Sequence, residues 1–152
     1  MSDIIIRDAR LEDLPVLLEF EQGIVTAERP FDPTLAADPI SYYDIKRLIN
    51  DASSKVVVAA YNDKIVGSGF AIILKAKDYL AHTNYVNFHF MYTDPKYRGK
   101  GVNAMIMESL KNWAYSKEIF EIRLTVYQDN LPAIKAYEKA GFKKHIIEMR
   151  LA

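Results

Sequence analysis

The sequence predicts a single α/β domain in which helices cover a central mixed sheet. Three observations lead there. Apolar side chains at helical spacing and β-rich runs succeed one another in the order strand, two helices, several strands, helix, strand, helix, strand. Half of the 152 residues are hydrophobic, which fits one sizeable core and leaves little room for a second. No repeat or linker interrupts the series.

Taken in order, Ile4-Ile5-Ile6 is short, apolar and β-branched and reads as a strand. After the turn-like Asp8-Ala9-Arg10, the residues Leu11, Leu14, Leu17 and Leu18 recur at helical spacing, and the pattern fades near Gly23. Glu28-Arg29-Pro30-Phe31-Asp32-Pro33 contains two prolines, which rule out a continuing helix and predict a shaped loop. Tyr42, Ile45, Leu48 and Ile49 predict a second helix that ends in the polar run 50–54. Residues 55–61 and 64–74 flank Asn62-Asp63, a two-residue turn signal, and predict a hairpin. From Tyr85 to Thr93 a further strand places Val86, Phe88 and Phe90 on one face and Asn87, His89 and Met91 on the other. Val102, Met105, Ile106, Leu110, Trp113 and Ala114 predict a helix ending near Lys117. Phe120, Ile122, Leu124 and Val126 alternate with polar residues as in a strand. Asp129-Asn130 can cap a last helix that has Pro132 in its first turn and Gly141 at its end, and Lys144 to Leu151 returns to strand.

Composition narrows the function. Twenty basic and twenty acidic side chains give no net charge, so no global basic field marks nucleic acid or an anionic membrane as partner. Cysteine is absent, which excludes disulfides, a thiolate nucleophile and thiolate metal sites. The three histidines are scattered and show no ligand spacing, so no metal is expected. The amino terminus lacks the basic start and apolar core of a signal peptide, and no run is long enough to span a bilayer; a soluble cytoplasmic protein is expected.

The most informative stretch is Arg98-Gly99-Lys100-Gly101-Val102-Asn103. It follows a strand ending at Asp94-Pro95 and opens a helix. Two glycines let the backbone approach a ligand, and the first amides of a helix lack internal partners and carry positive partial charge. Alone, this cradle suits any phosphate. It lacks the full Gly-x-Gly-x-x-Gly of a dinucleotide fold and the Gly-Lys-Ser/Thr of a P-loop. A second block, Asn130-Leu131-Pro132-Ala133-Ile134-Lys135-Ala136-Tyr137-Glu138-Lys139-Ala140-Gly141-Phe142, adds specificity.

Together with Met91-Tyr92-Thr93-Asp94-Pro95, these two blocks resemble the GCN5-related N-acetyltransferase (GNAT) superfamily. The first matches its strand, Pro and Arg/Gln-x-x-Gly-x-Gly/Ala pyrophosphate loop, and the second its Asn-x-x-Ala-x-x-x-Tyr-x-x-x-Gly-Phe block. The resemblance implies an α/β (α+β), GNAT-like acyl-CoA N-acyltransferase fold over residues 1–152: a central mixed, mostly antiparallel sheet flanked by helices on both faces. It also implies transfer of acetyl from acetyl-CoA to a primary amine of a small molecule or peptide. Asn103 departs from the small residue the family usually has at that position, with Ala104 next to it.

The resemblance assigns roles residue by residue. Arg98, Gly99, Lys100, Gly101, Val102, Asn103 and Ala104 would hold the CoA pyrophosphate. Met91, Tyr92 and Thr93 would offer main-chain groups to the pantetheine arm and the thioester oxygen, and Asn130 and Ala133 would contact CoA from the start of the last helix. Tyr137 matches the tyrosine that protonates the leaving sulfur. For the proton of the amine, His89 is the leading candidate and Glu28 the second; Glu28 could instead hold a cationic substrate. Homodimerisation accords with the family. The competing reading is a non-catalytic acyl-CoA-binding module, against which Tyr137 argues. The acceptor pocket is expected around Thr26 to Asp44 and Tyr79 to Asn84, which carry no recognisable signature.

Overall fold

Strands β1 (Ile4–Asp8), β2 (Ser54–Tyr61), β3 (Lys64–Lys75), β4 (Asn84–Thr93) and β5 (Ile122–Leu124) form one sheet in that order. The computed structural model describes residues 3–151. Successive pairs from β1 to β4 are antiparallel, and β5 joins β4 in parallel. The β2–β3 hairpin turns through Asn62 and Asp63, both at positive φ (47° and 66°), the geometry whose twist matches that of the flanking strands.

Alternation along β2 separates two cores. Val57 and Ala59 face helix α3 (Val102–Ser116), which contributes Val102, Ile106, Met107, Leu110 and Ala114. Val56 and Val58 face α1 (Leu14–Glu28) and α2 (Ile45–Asn50) through Leu17, Phe20 and Ile45. A fourth helix, α4 (Leu131–Lys139), follows β5 and packs Tyr137 against the α3 side. Helices therefore cover both faces of a mostly antiparallel sheet. The α3 contact is close: a Cβ on Gly69 of β3 would lie 2.7 Å from the Ile106 side chain.

Five expectations need correction. Helix α1 does not fade at Gly23 but runs to Glu28, because Gly23 seats the helix on Tyr92; a Cβ there would stand 2.8 Å from that ring. The prolines act only later, at the short 3-10 turn Arg29–Phe31. Phe90 does not share a face with Val86 and Phe88. The β3–β4 register shifts between Ser68 and Phe70, Phe90 takes a φ of 62°, and its side chain joins the α1/α2 core while Met91 packs toward α3. Such a bulge adds one residue to a strand and reverses the face of those that follow. The Ser68 hydroxyl donates to the displaced Phe90 carbonyl at 3.2 Å. Tyr42 lies outside α2, which starts at Ile45 with the Asp44 carboxylate accepting from the Arg47 amide. Finally, the alternation from Phe120 to Val126 yields only a three-residue β5, and 144–151 forms no strand.

Candidate active site

At the carboxyl end of β4 the chain builds a donor-rich turn. The Asp94 carboxylate accepts from the Lys96 amide at 2.9 Å, closing the turn Pro95–Tyr97. Gly99 and Gly101 then stand at φ 75° and 81°, where a side chain would be strained, and a Cβ on either would meet open space. From Gly99 to Ala104, among the described residues, no backbone N–H makes a backbone hydrogen bond, and no side chain caps α3. Six successive unsatisfied donors at a helix start, next to Arg98 and Lys100, fit the pyrophosphate of CoA. Arg98 donates through Nε to the Thr93 carbonyl at 3.1 Å and lies 5.9 Å from the Tyr92 ring centre, so its remaining guanidinium N–H groups are held beside the cradle. The Asn103 amide oxygen is buried without a partner.

The parallel pairing of β4 with β5 covers only Val86–Phe88 against Ile122–Leu124. Beyond it the two strands part, and the main chain of His89 to Thr93 has no β5 partner. That unpaired stretch leads directly into the turn and the glycine loop.

The end of α1 and the loop after it form an aromatic and acidic wall. Glu21, fully buried on α1, accepts from the amides of Tyr42 and Tyr43 at 3.0 and 2.9 Å and pins that segment. Tyr43 packs edge-on to Phe70 and His89. Glu28 is half-buried between this segment and α4. Burial raises its carboxyl, the Tyr42 phenol works against that rise, and Asp32 adds to it. Tyr42 is itself pushed up to about 12, by burial first and then by Glu28, and its hydroxyl makes no hydrogen bond in the described structure. The Tyr127 hydroxyl donates to Asp32 at 2.6 Å and its ring stacks on Phe31, closing the wall from the β5 side. Tyr137, half-buried on α4, is raised by burial and by the field of Glu28, so its phenol keeps its proton at neutral pH.

The model of the acetyltransferase (GNAT) family matches residues 21–142. The chain belongs to that family. It is an acetyl-CoA-dependent acyltransferase, and its GNAT fold recurs in solved structures. One is a predicted acetyltransferase with acetyl-CoA from Clostridium acetobutylicum, with a TM-score of 0.73 and 18% identity over 98% of this chain and 96% of that one. Among curated proteins, the L-amino acid N-acetyltransferase AaaT of Escherichia coli K12 is 27% identical over 147 residues, 94% of this chain and 85% of that protein. A streptothricin acetyltransferase of Escherichia coli is 44% identical over 46 residues, which span 30% of this chain and only 26% of that protein.

In the GNAT acetyltransferase the glycine loop follows directly from the end of β4 that β5 leaves unpaired, and Tyr137 is half-buried on the α3 side of the sheet. Some predicted residues also have structural work. His89 pairs with Asn87 at 2.7 Å and stacks on Phe70 at 5.0 Å, and burial lowers its pKa, so it stands as a neutral ring built into the α1/α2 side. Asn130 caps α4, its side-chain oxygen accepting from the Ala133 amide at 3.4 Å. The segment Tyr79–Asn84 is not part of the acceptor wall: His82, Thr83 and Asn84 line a groove with residues 117–121 at the opposite end of β4, roughly 30 Å from Thr93 at the usual rise of a strand. Among the described residues no group of three or more His, Asp or Glu is placed to hold a metal, and no helix is long and apolar enough to cross a membrane. Sequence reasoning missed Glu21 and the Asp32–Tyr127 pair. A glutamate at a core position of α1 was the available signal for the first; nothing local announced a contact between residues so far apart in the chain.

Proposed function

We propose that this acetyltransferase moves acetyl directly from acetyl-CoA to a primary amine of a small, cationic acceptor, with Glu28 as general base and Tyr137 as general acid. The observation that carries this reading is the run of six unsatisfied main-chain amides at residues 99–104, suited to the cofactor's pyrophosphate, beside the stretch of β4 that β5 leaves unpaired, with Tyr137 half-buried on α4. Acetyl-CoA, when bound, supplies an acetyl thioester. The amides of residues 99–104 hold its pyrophosphate, and unpaired main-chain groups around Met91 and Tyr92 face its arm and the thioester oxygen. Glu28 attracts the ammonium form of the acceptor and takes the proton whose loss gives the free amine; the amine nitrogen then attacks the thioester carbon and sheds its second proton to solvent as the amide bond forms. A carboxyl raised above the ordinary range is a better base than an exposed one. Tyr137 gives its phenolic proton to the sulfur as the carbon–sulfur bond breaks, and solvent returns one.

A cationic acceptor follows from the wall. It presents a carboxylate among tyrosine rings, and the Arg29 guanidinium is already engaged by the Ala36 carbonyl at 2.8 Å and by Asp38 at 2.7 Å. No free cation on that stretch invites an acceptor carboxylate. Peptide amines fit less well, since the loop pinned by Glu21 and by Gln22, which donates to the Ile40 carbonyl at 2.7 Å, narrows the approach. The test is a panel of amines assayed with acetyl-CoA by release of free thiol. Turnover of aliphatic or amino-sugar amines well above that of free amino acids is expected. Turnover confined to amino acids contradicts the acceptor class, and CoA binding without turnover on any amine contradicts the transfer reaction.

A further inference from the structure

The loop 32–44, between the 3-10 turn after α1 and the start of α2, is held by side chains rather than by main chain. Among the described residues its backbone–backbone hydrogen bonds are local, such as the Leu35 amide to the Asp32 carbonyl at 3.4 Å. Most of its hydrogen-bonded anchors come from α1 and its end. Glu21 holds the amides of Tyr42 and Tyr43, Gln22 the Ile40 carbonyl, and Arg29 the Ala36 carbonyl and Asp38. These anchors tie the loop to α1 alone.

One hydrogen bond crosses from the loop to the segment between β5 and α4. Tyr127 donates its hydroxyl to Asp32 Oδ2 at 2.6 Å, and its ring stacks on Phe31 with 6.2 Å between centroids and 25° between planes. Both partners are set for the contact. The other Asp32 oxygen accepts from the Thr34 amide at 2.9 Å and from the Thr34 hydroxyl, which orients the carboxylate. The Tyr127 carbonyl accepts from the Asn130 amide at 3.0 Å, which seats Tyr127 on the turn that opens α4, the helix of Tyr137. Thr34 first and then Tyr127 hold the Asp32 carboxyl below its ordinary range, while burial first and then Asp32 push the Tyr127 phenol up. Acceptor and donor therefore keep their roles throughout the neutral range, in a charge-assisted bond. With both oxygens engaged, Asp32 is a fastening and not a free carboxylate.

We propose that Tyr127 and Asp32 are positioning residues for acceptor binding: their hydrogen bond latches the loop after α1 to the start of α4 and so fixes the wall relative to the helix that carries Tyr137, a role that rests on the proposed transfer to an amine at that wall. Neither residue touches the reacting atoms. The Asp32 charge reaches Glu28, whose carboxyl it helps to raise, so the latch belongs to the wall itself. Without the Tyr127 hydroxyl the stack on Phe31 remains, but the hydrogen bond that ties the loop to the α4 side is gone. The acceptor must then order the wall as it binds, and that cost appears in acceptor affinity rather than in the chemical step.

The test compares the wild type with Tyr127→Phe, Asp32→Asn and the double variant in two readouts. One is chymotrypsin cleavage of the free protein after Phe31 and Leu35, followed by mass spectrometry; the other is steady-state kinetics with an amine from the panel, with CoA affinity measured by calorimetry. Tyr127→Phe is expected to raise the acceptor KM about tenfold, with kcat and CoA affinity within about twofold of the wild type. Cleavage of the loop is expected to quicken by a similar factor, since it follows the open population. Asp32→Asn, nearly isosteric and outside both cores, is expected to act in the same direction and by less, which keeps the test decisive if Tyr127→Phe fails to fold. The double variant is expected to be no worse than Tyr127→Phe, as for two ends of one bond. An unchanged acceptor KM, a raised KM without faster cleavage, or additive effects in the double variant overturns the proposal. If the wild type turns over no amine, the transfer reaction fails instead, and cleavage alone decides whether the latch holds.

Discussion

Burial raises the Glu28 carboxyl, Tyr42 opposes the rise and Asp32 reinforces it, which gives this side chain an effect on stability as well as on chemistry. A folded-state pKa above the unfolded value means that the native state holds the proton more tightly. Stability from this group is therefore full below the unfolded value of 4.5 and is lost as the pH rises through the raised folded value. Glu28→Gln should melt higher than the wild type near neutral pH, with the difference vanishing below pH 4.5, as paired thermal melts would record. The same substitution should lower kcat/KM by about 10²–10⁴-fold and remove the acid limb of the pH–rate profile, as expected for loss of a general base. His89→Gln should leave that limb in place. The sequence offered both residues for this role and preferred His89, because alternation put it on the polar face of β4. What alternation could not contain was the bulge at Phe90 and the Phe70 and Tyr43 rings that enclose the imidazole.

At the scale of elements, the order of helices and strands was readable wherever one periodicity ran unbroken against a complete neighbour. Helix α3 and the β2–β3 hairpin are such cases, and the glycine loop between β4 and α3 was legible from two glycines and a proline. Its geometry sets a prediction: Gly101→Ala must hold an alanine at φ 81°, which costs about 1–2 kcal/mol, and CoA affinity measured by calorimetry should weaken by a comparable free energy if the loop relaxes to avoid it. Asn103→Ala should leave CoA affinity nearly unchanged, since the unsatisfied main-chain donors lie on either side of it. The failures share a cause. Gly23 read as a helix end although it makes room for Tyr92, and 144–151 read as a strand although, among the described residues, it makes no backbone hydrogen bond. Local pattern reports what a segment is suited to become, while tertiary contact decides whether it does.

For the molecule as a whole, two cores on opposite faces of one sheet must be tied together at the ends. Arg7 on edge strand β1 donates to both carboxylate oxygens of Asp13, at 2.8 and 3.0 Å, ahead of α1. That hydrogen-bonded pair is the main reason the Asp13 carboxyl is lowered, so its stabilisation is present above the unfolded value of 3.8 and disappears as the pH falls through the lower folded value. Asp13→Asn should cost about 1.5–3 kcal/mol in denaturant unfolding at pH 7, and the gap should close in acid. The same sheet stops pairing between β4 and β5 beyond Phe88, next to the glycine loop, and in the proposed mechanism Tyr137 acts as the general acid at that opening. The most direct test of that role is steady-state and binding analysis of Tyr137→Phe, which removes one hydroxyl and keeps the ring that packs beside Phe142. A fall in kcat of about 10²–10⁴-fold with CoA affinity retained is the predicted result for a general acid. Turnover equal to that of the wild type would contradict it.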